Sequence, residues 1–510
     1  LIFFNSVRLI YMVRPAELLK GGQIGEKMPK TKWPLAVLGI VTLAGGYILA
    51  LKADNVMTGL NTFFVAVLLV IVGTFSLFTA GSIAFLKLLQ KNKRYYYKTN
   101  HFISVSGMIY RMKQNAASLS LICIMSTGVL LLISSTTSLY VGQEHSLYMH
   151  YPKEFRISLS LGTEPDDSAQ FEKELKEIGT YAENYLKDNK IDVKNEESQT
   201  VIDVAALQKD GNVQITSSRI YDSEDFENLC MLQAVTLEDY NRETKKNETL
   251  KDGEALVFLE DVPLQQDTFS VNNMKWKVKH LPEDTRMGDT GLEFYANPVY
   301  RIVVKDFAQL QDLWKINKEV YRENASRVKY EYSFDVDLPE EKIQELTSSL
   351  HTYLGEQKDA PHAFVYGIEN RTEGRAEFYS LYGGLFFLGI FLGLLFVMAT
   401  VLIIYYKQIS EGYEDKERFA ILKKIGMERG EINASIHSQV LMVFFLPLVL
   451  AGIHSCFAFH LVKEILVGGF GLWDVKLLVL SAVLTFLAFA VFYVIVYLLT
   501  AREYYKIVSE

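Results

Sequence analysis

The sequence predicts an α-helical polytopic membrane protein of six spans, with one large extracellular α+β domain between the third and fourth spans. Three observations predict it. Six apolar blocks reach the ~20 residues that crossing a bilayer core of ~30 Å requires. Lysine and arginine gather in alternate loops between those blocks. One long stretch, about 142 to 378, is acidic and carries strand and helix periodicities instead of a hydrophobic run.

The blocks are Pro34–Leu51, Phe63–Leu89, Leu119–Val141, Leu381–Tyr406, Val440–Leu466 and Val475–Leu499. A single block of this kind could be a buried core helix. Six with almost no interior charge are spans. Basic side chains near span ends are retained on the cytoplasmic side. Arg8, Arg14, Lys20, Lys27, Lys30 and Lys32 precede the first block, and Lys87, Lys91, Lys93, Arg94, Lys98, Arg111 and Lys113 lie around the second loop. Lys407, Lys416, Arg418, Lys423, Lys424 and Arg429 follow the fourth block, and Arg502 and Lys506 the sixth. If each block crosses once, all four groups share one compartment. The expected division is a cytoplasmic segment (1–33), three spans with a basic loop near 90–118 (34–141), the extracellular insert (142–378), one span (379–406), a cytoplasmic loop (407–439), two spans (440–500) and a cytoplasmic tail (501–510). The chain begins at Leu1, and LIFFNSVRLIY reads as the end of an earlier apolar segment, so a natural N-terminus upstream is expected.

The insert holds 28 Lys and Arg against 47 Asp and Glu, a net of −19, within a chain whose formal charge is −8. An acidic outward surface serves solubility, and it also attracts cationic peptides. Phe155, Ile157, Leu159 and Leu161 alternate at the strand period. Thr163–Asp167, with Pro165, then opens a helix to about Leu186. Tyr332, Phe334, Val336 and Leu338 repeat the alternation, and Pro339, Glu340 and Glu341 open a second helix to about Leu354. The echo predicts two similar halves. Val213–Ile220, Ala255–Phe258, Phe269–His280 and Tyr300–Val304 read as further strands. Of three cysteines, Cys123 and Cys456 fall in spans and Cys230 in the insert, which leaves no intradomain disulfide and no metal-type pair. His145 and His150 are five apart, not the four of a helical metal pair, and read as surface residues. Asn247, Asn324 and Asn370 open sequons that carry meaning only in a eukaryote.

Polar groups inside the spans are few. Gly389 and Gly393 are spaced for close helix packing in lipid. Ser134, Ser135, Thr136, Thr137 and Ser138 either line a lateral opening or bond their own helix backbone. His454 is the candidate intramembrane polar site, set against a neutral packed histidine. No phosphate-binding loop of the Gly-x-x-x-x-Gly-Lys-Ser/Thr type occurs; Gly22-Gln-Ile-Gly-Glu-Lys shares only its composition. No nucleophile, metal set or acid–base pair marks an enzyme.

The loop EGYEDKERFAILKKIGMERGEINASIHSQV carries the most information. A helix over about Asp415–Ile425 sets Phe419, Leu422 and Ile425 in one stripe, Gly426 ends it, and a second helix resumes near Gly430. Such a helix either lies on the lipid surface or docks on a partner. Glu414, Asp415, Arg418, Phe419, Ile421, Leu422, Lys423, Lys424, Ile425, Gly426 and Met427, continuing through Glu431, Ile432, Gln439, Pro447, Leu448 and His454, resemble the coupling region of the FtsX-like permease family of ABC transporters. The bacitracin-export branch is the nearest likeness. Phe102–Thr127 and Arg14–Lys27 extend the resemblance, and the insert matches by size and position alone.

The resemblance implies ten spans, of which this chain holds the last six. It implies that ATP and magnesium are bound by a partner, the ABC ATP-binding subunit in two copies, and that no cofactor sits in this chain. Glu414, Arg418, Phe419, Leu422, Lys423, Lys424, Gly426 and Met427 would couple that subunit to the spans. It implies protection from antimicrobial peptides in a bacterial cell membrane, by export or by freeing lipid-linked pyrophosphate precursors, with a sensor histidine kinase as a further partner. No nucleic-acid partner is expected. Other readings are a sensor without net transport, and a lipoprotein-release or macrolide-efflux permease.

Overall fold

The computed structural model describes residues 32–53, 56–97, 99–216, 228–260, 262–283, 285, 297–357, 362–424, 429–472 and 474–509. Six of its helices are long and apolar enough to cross a membrane, three on each side of a sheet-containing insert. A chain in lipid must satisfy its own backbone groups, and a helix does so within one segment.

The first three spans begin with α1 (Trp33–Leu51) and α2 (Val56–Ser76). These two pack through glycines: a Cβ on Gly46 would lie 2.8 Å from Val70, and one on Gly73 2.9 Å from the Leu43 backbone. One π-helical turn, Leu77–Gly81, separates α2 from α3 (Ser82–Lys91), and the short α4 (Lys93–Tyr96) follows. The third span lies within α5 (Thr99–His150), a helix of 52 residues. The second half of the membrane portion is α10 (Arg371–Lys424), α11 (Arg429–Phe470) and α12 (Val475–Ser509).

Between them the insert builds one sheet of eleven strands: β1 (Phe155–Leu161), β2 (Val193–Lys209), β3 (Asn212–Gln214), β4 (Leu229–Thr236), β5 (Glu254–Leu259), β6 (Val262–Pro263), β7 (Thr268–Val271), β8 (Met274–Val278), β9 (Val299–Val304), β10 (Lys329–Val336) and β11 (Phe364–Asn370). Among the described residues four α-helices accompany it: α6 (Ser168–Asp188), α7 (Leu237–Thr244), α8 (Phe307–Tyr321) and α9 (Glu340–Glu356). The order is β11-β1-β10-β2-β3-β7-β8-β5-β9-β4, and β4 pairs back onto β2. So β2 closes a ring with β3, β7, β8, β5, β9 and β4, while β10, β1 and β11 extend from it as an open sheet. β2 serves both parts: Val193–Val201 pairs with β10 and Val201–Leu207 with β4.

The echo between β1–α6 and β10–α9 is present locally. β1 and β10 are antiparallel neighbours, Phe155 opposite Phe334, with the two rings stacked at 5.1 Å. The two units lie side by side in one open sheet, and the ring built from the intervening segment belongs to neither, so the insert is not two halves. Phe155, Ile157, Leu159 and Leu161 are buried as their alternation requires. Asp167 caps α6 by accepting from the Gln170 amide at 2.8 Å. The stretch Phe269–His280 is a hairpin and not one strand: Asn272, at φ +51°, turns β7 into β8. Of Val213–Ile220 only Val213 and Gln214 are strand, and 217–220 lie outside the described residues.

The insert is joined to the membrane portion by two paired strands. Four residues, Tyr151–Glu154, separate α5 from β1, and β11 runs directly into α10. β1 and β11 are antiparallel along their whole length, Phe155 opposite Asn370 and Leu161 opposite Phe364.

Candidate functional site along the paired helices α5 and α10

α5 and α10 lie antiparallel and in a constant register. Gly393 faces Ile133, with a Cβ there coming within 3.0 Å, and a Cβ on Gly389 would collide with Thr136. Tyr140 stacks on Phe386 at 4.7 Å. Both glycines of the predicted pair therefore sit in one contact, where a small residue lets two helices approach closely. Gly383 and Gly384 meet nothing within 4 Å.

The insert end of this pair is fastened by Arg371, the first residue of α10. Its Nε donates to the Tyr151 carbonyl at 2.8 Å and its Nη2 to the Pro152 carbonyl at 2.5 Å. Its guanidinium lies 4.5 Å from the centre of the Tyr148 ring. Glu154 accepts from the Thr372 amide at 3.0 Å and hydroxyl at 2.7 Å.

The other end holds a buried cluster of charges. Lys407, Glu411 and Asp415 follow one another at intervals of four along α10, hence on one face. Arg111 and Asn115 face them from α5. Arg111 is 3% exposed, Asp415 4%, Glu411 8% and Asn115 8%. Arg111 Nη2 donates to Asp415 and also lies 3.2 Å from Tyr504 Oη, contributed by α12. The Tyr504 hydroxyl donates to Asp415 Oδ2 at 2.6 Å. Asn115 donates to Glu411. Arg111 Nη1 and Lys407 Nζ each approach Glu411 at 3.9 Å, and neither makes a hydrogen bond. Burial strengthens such pairs and makes a lost partner costly.

This cluster corrects the expected start of the loop helix. No separate short helix begins at Asp415; α10 continues from the fourth span to Lys424, and α11 starts at Arg429. Asp415 turns inward to Arg111, and Glu414 is exposed. Arg418, Phe419, Leu422, Lys423 and Lys424 fall on the last two turns of α10. Their side chains, with Gly426 and Met427 altogether, lie outside the described residues.

His454 lies elsewhere, at 3% exposure on α11. The Thr74 hydroxyl donates to the Val70 carbonyl at 2.6 Å, so at 2.9 Å from His454 Nε2 it accepts. Nε2 therefore carries the proton, and Nδ1 accepts from the Tyr47 hydroxyl at 2.6 Å. The ring is a neutral bridge joining α1, α2 and α11. Tyr47 also stacks on Phe457 at 3.9 Å. Among the hydroxyls of α5, Ser134 is buried and donates to the Leu131 carbonyl, Thr136 to Leu132 and Ser138 to Ser134. Ser135 and Thr137 are half-buried. Backbone bonding accounts for Ser134 without an opening.

The insert carries a cleft of about 380 Å³ close to the end of α5. Lys153, Arg156 and Arg242 line it together with Glu183, Glu197 and Glu331. Glu331 is half-buried and hydrogen-bonded by Gln199 at 3.1 Å. Burial, and then the nearby Asp203, push its carboxyl above the usual carboxylate range. Among the described residues no three metal-ligating side chains converge.

Residues 386–508 match the FtsX-like permease C-terminal family, which covers α10 from its glycine contact through α12. The chain is similar to the ABC transporter permease protein YxdM of Bacillus subtilis, 27% identical over 485 residues, covering 90% of this chain and 67% of that protein. It is similar to the bacitracin export permease protein BceB of Halalkalibacterium halodurans, 25% identical, covering 82% and 61%. The protein of that name from Bacillus subtilis is 23% identical, covering 83% and 62%. The chain thus spans about two thirds of the length of these relatives. With six membrane helices among its described residues, it is a multi-pass membrane protein that carries an FtsX-like permease domain and is a homologue of ABC transporter permeases.

Proposed function

We propose that the chain is the membrane subunit of an ABC transporter that protects a bacterium from bacitracin-like antimicrobial peptides, by export or by freeing lipid-linked cell-wall precursors. ATP and magnesium are bound by a separate ATP-binding subunit, in two copies, against the tip formed by the ends of α10 and α11. The tip and Lys407–Glu411–Asp415 face the cytoplasm, and the insert is extracellular. Basic loops on one side and an insert of net charge −19 on the other support that orientation. A sensor histidine kinase is a further partner.

One observation carries the reading. α5 and α10 are each continuous from the tip end to the insert, and there they pass into β1 and β11, which are paired to each other. A displacement of the tip by an ATP-driven partner would therefore reach the insert directly through α10 and β11, and through the short linker Tyr151–Glu154 between α5 and β1. A mixed-charge cleft lies near the end of α5, beside that junction, and supports a ligand-binding role there.

The test uses the full-length permease co-expressed with a candidate ATP-binding subunit from the same organism. The two are expected to co-purify, to hydrolyse ATP faster in the presence of bacitracin, and to raise survival under it. Phe419→Asp is expected to abolish the stimulation. If Phe419→Asp leaves both ATP turnover and survival unchanged, the coupling role of the tip is wrong.

A further inference from the structure

We infer that Arg111 is a positioning residue with two carboxylate seats one helical turn apart, Asp415 now and Glu411 after an axial step of α10 along α5. This rests on the proposed ATP-driven function and deepens it, since it names how far the tip moves and what stops it.

The geometry of the cluster is that of a ladder. α10 presents Lys407, Glu411 and Asp415 at equal spacing, and α5 presents Arg111 and Asn115 at the same spacing. In antiparallel register 111 meets 415 and 115 meets 411. The register continues up the pair, where 133 meets 393 and 140 meets 386. A shift of α10 by four residues, about 6 Å at 1.5 Å per residue, brings Glu411 to Arg111. It also sets Leu385 against Thr136 and draws Arg371 off the Tyr151 and Pro152 carbonyls, so those contacts oppose the step. The direction is toward the tip.

The guanidinium is already divided between the two seats. Nη2 is bound to Asp415, while Nη1 makes no hydrogen bond and lies 3.9 Å from Glu411 Oε2. A planar fork of five donors can hold one carboxylate while it reaches for a second. Tyr504, from α12, bonds Asp415 and Arg111 alike and marks the present seat.

A cluster that only fastened two helices would gain little from charge. Apolar residues of similar volume pack at least as well as buried ion pairs. Apolar packing sets its register by shape alone, whereas an arginine between equally spaced carboxylates adds two discrete positions and a cost between them. The third rung is a cation. A second step would bring Lys407 to Arg111, so like charge opposes it in a site of low dielectric. The ladder admits one step and resists the next. Bistable packed elements of this kind turn a small push into a defined displacement.

The experiment uses the full-length permease assembled with its ATP-binding subunit in nanodiscs. Native cysteines are replaced, and spin labels are placed at Ala117 on α5 and Tyr413 on α10, both exposed. Trapping with ATP and vanadate is expected to shift the label distance, and Glu411→Gln to keep the nucleotide-free distance but remove the shift. The same variant should lose at least tenfold of bacitracin-stimulated ATPase and keep its basal rate. Lys407→Glu, which adds a third seat, is expected to lengthen the displacement beyond the parent's. If Glu411→Gln fails to assemble, Lys407→Glu decides. A parent complex that hydrolyses ATP with no change in label distance overturns the inference, as does an undiminished shift in Glu411→Gln or an unchanged one in Lys407→Glu. Failure of the parent to bind an ATP-binding subunit at all counts against the functional reading instead.

Discussion

Tyr47 and His454 are joined by a 2.6 Å hydrogen bond between two membrane helices, and the histidine accepts in it. Nδ1 is an acceptor because Nε2 must donate to Thr74, whose own proton serves Val70. Tyr47→Phe leaves that acceptor without its donor inside an apolar bundle. The expected cost is about 1 kcal/mol, near the usual size of such bonds between membrane helices. A double-mutant cycle with His454→Leu, read by thermal unfolding in detergent, should return a coupling of similar size. Additive effects would remove the bridge.

The α5–α10 contact predicts a contrast between glycines of one helix. Gly389→Leu must displace Thr136, and overpacking of this kind costs about 1–3 kcal/mol. Gly383→Leu meets nothing within 4 Å and should be close to neutral. Thermal midpoints of the two variants in one detergent settle it; equal midpoints would mean the helices do not pack through Gly389.

Arg371 ties α10 to the end of α5 and the linker that follows it, through two carbonyls and a ring. Arg371→Ala removes charge-assisted bonds worth about 1.5–3 kcal/mol. Lysine lacks the fork that reaches both carbonyls, so Arg371→Lys should recover little. Hydrogen exchange should rise at the start of β1 and the end of β11 in both variants. Full protection in Arg371→Lys would contradict the forked geometry.

Glu331 makes the insert sensitive to pH in a defined direction. Its carboxyl is raised by burial first and by Asp203 second, so the folded state holds its proton more tightly than the unfolded chain. That contribution is present in acid and is lost as pH rises through the raised value. Relative to Glu331→Gln, the parent is therefore expected to gain stability as pH falls from neutral toward the carboxylate range. The thermal midpoint of the insert, followed in the full-length chain, should diverge between the two proteins in that sense. A parent that loses stability relative to the variant on acidification would reverse the sign.

Much of the fold was legible along the chain. Six helices follow from six long apolar runs, and β1 and β10 from Phe155 and Tyr332 alternations. Other strands were hidden for physical reasons. The first half of β2, VKNEESQT, is largely solvent-facing and lacks an apolar period, and β4, LCMLQAVT, is buried on both faces and lacks a polar one. Of the functional residues, Phe419 and its neighbours were found by resemblance. Lys407, Glu411 and Arg111 were read only as loop charges, because nothing local says that they turn inward.

Hydropathy and period are properties of neighbours in sequence, so the sequence alone determined the six membrane helices among the described residues, the acidic insert between the third and fourth of them, and the spacing of four that unites Lys407, Glu411 and Asp415. Which surfaces meet depends on the placement of helices against one another. Arg111 and Asp415 are 304 residues apart, and Tyr47 and His454 are 407 apart. Only packing in three dimensions brings each buried donor to its acceptor, and the cost of leaving a buried polar group unpaired is what selects that packing over others.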